Sequence, residues 1–223
     1  MLSLTEEDYL KAIYYLSENN SEKGISTNDI AKRIEISAAS VSDMIKKLSQ
    51  KNLVNYVKYQ GVTLTKGGKQ IAVNIIRKHR LWETFLVEKL KFSWDEVHEI
   101  AEQLEHIQSS TLIERLDEFL DFPEYDPHGD PIPNEKGEII KRKRINLKNC
   151  PLDQTLKVIA VEEGSPLFLQ HLNKIKVNIG THIKVLEKIE YDESLEIEID
   201  QQRTIMISKD VAENIYVTKV AHG

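Results

Sequence analysis

The clearest structural signal lies in residues 26–65, which read STNDIAKRIEISAASVSDMIKKLSQKNLVNYVKYQGVTLT. Ser26 is a favourable N-cap, and the apolar residues after it recur at helical spacing, which predicts a helix. Residues 35–37 predict a tight connection, and the next helix is expected over 38–51. Two short strands, over 53–57 and 62–65, would then form a hairpin. This order of helix, turn, helix and hairpin is that of a winged helix-turn-helix.

The second helix of this unit carries most of the side chains expected to contact DNA. In helix-turn-helix units this helix enters the major groove, and small or hydroxylated residues at its start allow a close approach to phosphates and bases. Residues 44–80 contain nine Lys or Arg and no acid, so the charge also favours a polyanion. The candidate DNA contacts are Thr27, Ser37, Ala38, Ala39, Ser40, Ser42, Asp43, Lys46, Lys47, Lys58 and Tyr59. The alternative is a winged helix that binds another protein.

The composition argues against several classes of protein. The 223 residues include 30 Lys or Arg and 36 Asp or Glu, and the net charge of −6 argues against binding DNA by bulk charge. No run of the roughly 20 apolar residues that cross a bilayer occurs, and the acidic start of the chain lacks the features of a signal peptide. Cys150 is the only cysteine, so no internal disulfide can form. We therefore expect a cytoplasmic protein with no membrane partner.

The remainder of the chain divides at a proline-rich segment. Apolar spacing predicts further helices over 5–17, 66–90, 93–109 and 111–120. Residues 122–133 hold four of the six prolines, so regular helix or strand is not expected there. Beyond them the apolar period changes to two, and strands are predicted over 156–161, 182–189, 195–199, 204–208 and 214–220. The expected fold class is α+β, with a small C-terminal β-barrel and a domain boundary between about 123 and 151.

Acids and imidazoles recur at helical spacing before this boundary. The residues concerned are His98, Glu102, Glu105 and His106, together with His79 and Glu83 on the preceding helix. Steps of three and four residues bring such side chains onto one face of a helix, and a divalent metal needs donors that converge in this way. Residues 81–130 also hold fourteen acids and three bases, which suits a cation. The alternative is a solvated helix face, and no pattern of catalytic residues points to an enzyme.

Five segments within residues 1 to about 133 carry a specific pattern. They read TEEDYLKAIYYL, ISAASVSDMIKKL, NYVKYQGVTLTKGGKQIA, RKHRLWETFL and EVHEIAEQLEHI. Their combination resembles the diphtheria-toxin-repressor family, and most of all its manganese-responsive transport regulators. The resemblance implies a homodimeric, metal-activated repressor that binds palindromic operators of metal-uptake genes. The implied domains are a winged helix-turn-helix DNA-binding domain over 1–70, a helical metal-binding and dimerisation domain over 71–140, and an SH3-like barrel similar to ferrous-transport accessory domains over 151–223.

The resemblance also implies two metal sites. The principal site would use Asp8, His79, Glu102, Glu105 and His106. The second site would use Glu83, Asp126, His128 and Glu163, with His98 as an alternative ligand. Because Asp8 belongs to the first helix, metal at the principal site would tie the DNA-binding unit to the dimerisation helices.

The donor types favour one metal over another. Iron-type members of the family place sulfur ligands where this chain has Asp8 and Glu102, and oxygen donors suit Mn²⁺ better. Lys11 stands where two-domain manganese sensors carry a second acid, and a cation cannot ligate a metal, so we expect two separated sites rather than a two-manganese cluster. The alternatives are an Fe²⁺-responsive repressor of the same family and a metal-binding protein without sequence-specific DNA binding.

Overall fold

The computed structural model of the protein describes residues 2–19, 24–57, 60–140, 142–162 and 164–220. The helices in these ranges are α1 (Leu4–Asn19), α2 (Thr27–Ile34), α3 (Ala38–Gln50), α4 (Lys66–Glu88), α5 (Val97–Leu104), α6 (Ser110–Phe119), α7 (Pro166–Lys174) and α8 (Lys209–Glu213). The strands are β1 (Val54–Val57), β2 (Gly61–Leu64), β3 (Ile145–Asn146), β4 (Thr155–Val161), β5 (His182–Lys188), β6 (Leu195–Ile199), β7 (Arg203–Ile207) and β8 (Ile215–Lys219). These elements form two compact units, the first over 1–79, 102–114 and 133–139, and the second over 80–101, 115–132 and 140–223.

The first unit begins with a capping box at the start of α1. The backbone N–H of Glu6 donates to Oγ of Ser3 at 3.3 Å, and the Glu6 carboxylate accepts from the backbone N–H of Ser3 at 2.9 Å. Reciprocal bonds of this kind satisfy donors that have no partner within the helix. Leu10 and Ile13 lie on the inward face of α1 and are fully buried. The helix begins and ends within two residues of the range predicted from the sequence.

The helix-turn-helix predicted over 26–51 is confirmed. Oγ of Ser26 caps α2, and Oγ of Ser37 caps α3 by accepting from the backbone N–H of Ser40 at 3.2 Å. Between the two helices, Glu35 has a left-handed backbone with a φ of 57°, which ends α2 and turns the chain toward α3. The apolar side chains shared by α1, α2, α3, the hairpin and α4 include Leu10, Ile13, Ile30, Val41, Ile45, Leu48, Val62 and Ile76.

Strands β1 and β2 form the predicted hairpin after α3 and pair in antiparallel register. Gly61, at the start of β2, has a φ of 98°, and a Cβ there would lie 2.6 Å from the carbonyl carbon of Gly24. Only glycine fits this conformation and this close approach. The candidate DNA contacts Lys58 and Tyr59 lie outside the residues that the structure describes.

The helix predicted over 93–109 is wrong at both ends, because α5 occupies only eight residues in its middle. On its N-terminal side, Trp94 is buried in the core of the second unit, where its Nε1 donates to Oδ1 of Asn173 at 2.8 Å. On its C-terminal side, the chain leaves the helix in a turn closed by the backbone N–H of Ile107, which donates to the carbonyl oxygen of Leu104 at 3.1 Å. Glu105 and His106 therefore lie in the turn after α5 and not on its polar face.

The second unit is built around a six-stranded antiparallel sheet in the order β3-β8-β4-β5-β6-β7. Strands β4 to β8 correspond to the five strands predicted from the sequence, and β3 is a two-residue addition at one edge. The inward-facing side chains form one apolar cluster that includes Leu156, Val158, Ile183, Val185, Ile197, Ile199, Ile215 and Val217. None of the helices in the described ranges has both the length and the apolar character needed to cross a bilayer.

Two short helices of the second unit were not predicted. α7 and α8 begin after the capping residues Ser165 and Ser208, whose hydroxyl oxygens accept bonds from backbone N–H groups in the first helical turn. Because α8 occupies residues 209–213, the strand predicted over 214–220 begins only at Ile215.

The proline-rich segment has the irregular backbone that was expected. Residues 121–140 contain no helix and no extended strand, and a single bridge joins Tyr125 to Pro131. Gly129 has a φ of 86°, and a Cβ there would clash with the carbonyl oxygen of Ile159 on β4. The segment therefore packs directly against β4 in a conformation that depends on glycine.

Candidate metal centre

Glu105 is the centre of the first cluster of candidate ligands. It is fully buried, and both oxygens of its carboxylate are engaged. Oε2 lies 2.6 Å from Nδ1 of His79 on α4, and Oε1 lies 2.6 Å from Nζ of Lys11 on α1. Helices α1 and α4 and the turn after α5 therefore meet at a single carboxylate.

The cluster contains all five residues that the resemblance implies for the principal site. Ligand atoms of Asp8, Glu105 and His106 lie within 4.8 Å of one another, and the same holds for His79, Glu102 and Glu105. Glu105 belongs to both groups and joins them. Three carboxylates and two imidazoles are a donor set that a divalent first-row metal ion accepts.

Asp8 provides a direct test of whether a cation fits here. Its Oδ1 is buried and accepts no hydrogen bond from the described residues, although Nε2 of His106 lies 3.2 Å away. Burial raises the pKa of the Asp8 carboxyl, while the charges of His106 and Lys11 lower it. A buried acceptor without a donor costs free energy, which a cation at this position would recover. The residues therefore fit a metal ion.

Glu7 orients the imidazole of His106, a role that the sequence did not indicate. Nδ1 of His106 donates to Oε2 of Glu7 at 2.7 Å, and Nε2 of Gln108 donates to Oε1 of Glu7 at 2.8 Å. With Nδ1 committed to Glu7, the other ring nitrogen of His106 faces Asp8. Metal-binding histidines commonly have a carboxylate partner of this kind. The acidic run 6–8 was visible in the sequence, but spacing alone does not show that two of its members flank one imidazole.

Lys11 is also part of this cluster, although a cation is not a metal ligand. Its Nζ lies 2.6 Å from Oε1 of Glu102 and 2.6 Å from Oε1 of Glu105. The lysine side chain is nearly buried, with 11% of its surface exposed. Sequence reasoning excluded Lys11 as a ligand and did not anticipate that its ammonium group would pair with two candidate ligands.

A second cluster lies in the second unit. Ligand atoms of Glu83, Asp126 and His128 lie within 4.8 Å of one another, and all three residues are buried. Nε2 of His128 donates to the carbonyl oxygen of Trp94 at 2.8 Å, so its Nδ1 is directed at Glu83, whose Oε2 is 3.6 Å away. Nδ1 of His98 lies 3.5 Å from Oε1 of Glu83, which places this alternative ligand at the edge of the cluster.

The charged groups of the second cluster shift one another's pKa values. Burial, assisted by the negative charges of Asp130 and Glu83, raises the pKa of Asp126 to about 7 against the opposing effect of Arg80. Burial alone would lower the pKa of His128, but the neighbouring carboxylates of Glu83 and Asp126 raise it to about 9. Oδ1 of Asp126 also accepts the backbone N–H groups of His128 and Asp130, which fixes the loop. The expected fourth ligand, Glu163, lies outside the described residues.

The candidate DNA contacts lie mainly on one exposed stretch of the first unit. Ser37, Ala38, Ala39 and Ser40 at the start of α3 are exposed, whereas Thr27 and Ser42 are partly buried. Lys46 is exposed and its Nζ lies 3.1 Å from Oδ1 of Asp43. Nζ of Lys47 lies 3.3 Å from Oε1 of Glu6, yet 55% of the lysine side chain is exposed.

Comparisons with known proteins assign the chain to a family. Family models match for the N-terminal DNA-binding domain of iron-dependent repressors over 1–62, their metal-binding and dimerisation domain over 65–134, and the FeoA domain over 145–219. The diphtheria toxin repressor of Corynebacterium glutamicum is 30% identical over 197 residues, which are 82% of this chain and 84% of that protein. This chain belongs to the diphtheria-toxin-repressor family. Its function class is therefore that of a metal-dependent transcriptional repressor, a regulator rather than an enzyme.

Relatives within the diphtheria-toxin-repressor family differ in the metal that their names specify. A solved manganese-dependent transcriptional repressor in complex with manganese has a TM-score of 0.84 and 35% identity, and the match covers 96% of this chain and 99% of that one. The iron-dependent repressor IdeR of Mycobacterium leprae is 35% identical over 131 residues, which are 58% of this chain and 55% of that protein. The family and the α+β fold class predicted from the sequence are confirmed, and the metal ion has to be argued from the ligands.

Proposed function

We propose that this protein is a Mn²⁺-activated repressor that binds palindromic operators of metal-uptake genes as a homodimer. The observation that carries the choice of metal is the set of oxygen donors at Asp8 and Glu102 in the principal cluster. Cys150 is buried in the core of the second unit, so its sulfur is not a member of either cluster. Hard oxygen donors without sulfur favour Mn²⁺ over softer ions.

In this proposal the principal site holds the metal through Asp8, His79, Glu102, Glu105 and His106. A metal bound there would supply positive charge that these carboxylates share, and Asp8 would then hold α1 to the cluster. Two residues earlier on α1, Glu6 accepts a bond from Lys51 at 2.7 Å and lies 3.3 Å from Lys47 of α3. Because α1 contacts both the metal cluster and the C-terminal end of α3, a metal that fixes α1 also fixes the helix proposed to enter the major groove.

The remaining assignments follow the same proposal. Residues 1–70 bind DNA, 71–140 bind metal and dimerise, and 151–223 form the barrel domain. The second site uses Glu83, Asp126, His128 and Glu163, with His98 as an alternative ligand. The two clusters have no ligand in common, and Lys11 occupies the position at which a two-manganese cluster needs a second acid, so two sites are favoured over such a cluster.

An Fe²⁺-responsive repressor is the second candidate function. The iron-dependent repressor IdeR is a relative over 58% of the chain, and carboxylate and imidazole donors accept Fe²⁺ as well as Mn²⁺. In that case cellular availability would decide which ion acts.

The test is a DNA-binding titration with Mn²⁺, Fe²⁺ and Zn²⁺ in parallel under anaerobic conditions, using a palindromic fragment from a metal-uptake promoter and a scrambled fragment of equal length. We expect Mn²⁺ to activate specific binding at the lowest free concentration. Activation by Fe²⁺ at a lower concentration would favour the second candidate. Metal binding without any specific DNA binding would refute both.

A further inference from the structure

Lys11 is positioned where a metal ion would compete with it. Its ammonium group touches one oxygen of Glu102 and one of Glu105, each at 2.6 Å, and both residues belong to the principal cluster. The other oxygen of Glu105 is engaged by Nδ1 of His79 at 2.6 Å. A metal ion that approaches either oxygen of Glu105 therefore meets a partner that is already bound, and of these partners the ammonium group is the one that a cation repels.

The physical reason for the lysine is the charge of the metal-free cluster. Asp8 and Glu102 are partly exposed, but they converge on the fully buried carboxylate of Glu105, where carboxylates repel one another and the cost of leaving a charge unpaired is high. An ammonium group placed between two of them compensates this charge. A divalent ion among the same oxygens would lie within a few ångströms of the ammonium, and two cations at such a distance repel strongly at low dielectric.

We propose that Lys11 is the resident cation of the metal-free principal site, and that a divalent ion binds there by displacing its ammonium group from Glu102 and Glu105. This inference rests on the proposed function, since it concerns how the same site is loaded. Metal binding is then a cation exchange, and Lys11 sets the free metal concentration at which the exchange occurs.

The exchange also changes which residue of α1 holds this helix to the cluster. Besides the Glu7–His106 bond, Lys11 holds α1 to Glu102 and Glu105, whereas with metal bound Asp8, three residues earlier on the same helical face, would take over this role. The Glu7–His106 bond can persist in both states, and the states differ in whether Lys11 or Asp8 supplies the second contact of α1 with the cluster. Two discrete attachments of one helix are a structural basis for a two-state switch.

The affinity test uses the full-length protein with a single substitution at Lys11. Lys11→Met removes the charge and retains the length of the side chain, and Lys11→Arg retains the charge. Mn²⁺ affinity is measured by competition with a fluorescent chelator, with Lys32→Met on the exposed face of α2 as the matched control. We expect Lys11→Met to raise the affinity on the order of tenfold to a hundredfold, Lys11→Arg to leave it unchanged or lower it, and Lys32→Met to leave it unchanged.

A second measurement follows the ammonium group directly. In protein labelled with ¹⁵N-lysine, we expect the paired and nearly buried ammonium of Lys11 to give a slowly exchanging signal, which is assigned by its loss in Lys11→Met. One equivalent of Zn²⁺, a diamagnetic probe, is expected to remove or shift this signal. If Lys11→Met does not fold without metal, Lys11→Gln replaces it in both measurements, because the amide can still donate to a carboxylate.

The two proposals fail in different ways. If wild-type protein binds Mn²⁺ but Lys11→Met has the same affinity within threefold, or if the Lys11 ammonium signal persists unchanged with Zn²⁺ bound, the cation exchange is refuted and the proposed function stands. If neither the wild-type protein nor the variants bind a divalent ion through the principal cluster, the proposed function itself fails.

Discussion

The side chains of Glu7 and His106 form a hydrogen bond of 2.7 Å that directs the opposite ring nitrogen of His106 toward Asp8. The two bonded residues lie 99 positions apart in the chain. Glu7 thus acts on the metal cluster through His106 and not as one of the five candidate ligands.

Glu7→Gln tests this positioning role. The substitution replaces a charged acceptor by a neutral amide, so the His106 ring is held less firmly and becomes a poorer donor to metal. We expect Mn²⁺ affinity to fall by about 10- to 100-fold, as is typical when such a partner is removed. Isothermal titration measures the change, and Glu135→Gln at an exposed position is the control. If Glu7→Gln and Glu135→Gln have equal affinities for Mn²⁺, Glu7 does not position His106 for the metal.

Glu6→Gln tests the link between α1 and α3. The bond from Lys51, aided by the backbone N–H of Ser3 and by Lys47, lowers the pKa of Glu6 from 4.5 to about 2 in spite of its burial. A pKa that is lower in the folded state gives stability that is complete above about pH 4.5 and is lost as the pH falls toward about 2. We expect Glu6→Gln to lower the free energy of unfolding by about 1–2 kcal/mol at pH 7.

Urea unfolding of the metal-free Glu6→Gln protein across this pH range provides the check. The difference between wild type and variant should shrink steadily between pH 4.5 and pH 2, because wild-type Glu6 becomes protonated there. A difference that stays constant over this interval would show that the Glu6 charge contributes nothing to folding.

Lys46→Ala and Lys47→Ala test whether α3 binds DNA phosphates. Both side chains are more than half exposed although each has an acidic neighbour. A lysine that binds phosphate carries no sequence information, so each substitution should weaken binding to operator and random DNA by the same factor. The slope of log affinity against log salt should flatten by about one unit for each phosphate that the variant no longer neutralises.

The controls for these lysine variants distinguish the loss of a phosphate contact from the loss of sequence recognition. Lys174→Ala on α7 removes an exposed lysine of the second unit and should leave the salt slope unchanged. Substitutions at Ser37, Ala39 and Asp43 are expected to alter sequence preference while the salt slope is retained. If the Lys46 and Lys47 variants instead lose sequence specificity and keep the full salt slope, these lysines read the sequence and do not bind phosphates.

The double substitution Asp8→Met with Glu102→Cys tests the choice of metal. It places sulfur donors where iron-type members of the family carry them, and softer donors raise the affinity for Fe²⁺ relative to Mn²⁺. We expect the ion that activates DNA binding most effectively to change from Mn²⁺ to Fe²⁺, as measured anaerobically with each ion. A folded variant that binds both ions and still prefers Mn²⁺ as activator would show that these two positions do not set selectivity.

Local signals explain how much of the fold was predictable. Ser26 and Ser37 cap α2 and α3 through side chains three residues from the N–H groups they bind, and such signals can be read from sequence. By contrast, α7 has nine residues and α8 has five, and both lie between strands. Apolar residues alternate with a period of two in this part of the chain, and that pattern hid the two short helices. The late start of α5 depends on tertiary packing, with Trp94 buried in the core of the second unit.

The sequence and the resemblance named the residues that the principal cluster brings together, but not the contacts that Lys11 and Glu7 make with them. The five principal ligands came from the family resemblance, and their spacing along α4 and α5 supported only part of the set. The ion pairs of Lys11 join residues 91 and 94 positions apart, and no local pattern encodes such a pair. The full burial of Glu105 was also not anticipated, because the sequence predicted this residue on the polar face of a helix and gave no sign that the side chain is enclosed.

Glu105→Gln provides the most direct test of the central claim, that metal at the principal cluster activates DNA binding. Glutamine preserves the volume of this buried side chain, which alanine would not, and removes the charge shared by the two ligand groups. Fluorescence anisotropy of an operator duplex is measured with and without Mn²⁺ for wild type, Glu105→Gln and the exposed control Glu135→Gln, after circular dichroism has shown that all three are folded. The account predicts strong Mn²⁺-dependent binding for wild type and control and no response to Mn²⁺ for Glu105→Gln. A wild-type response in folded Glu105→Gln would contradict it.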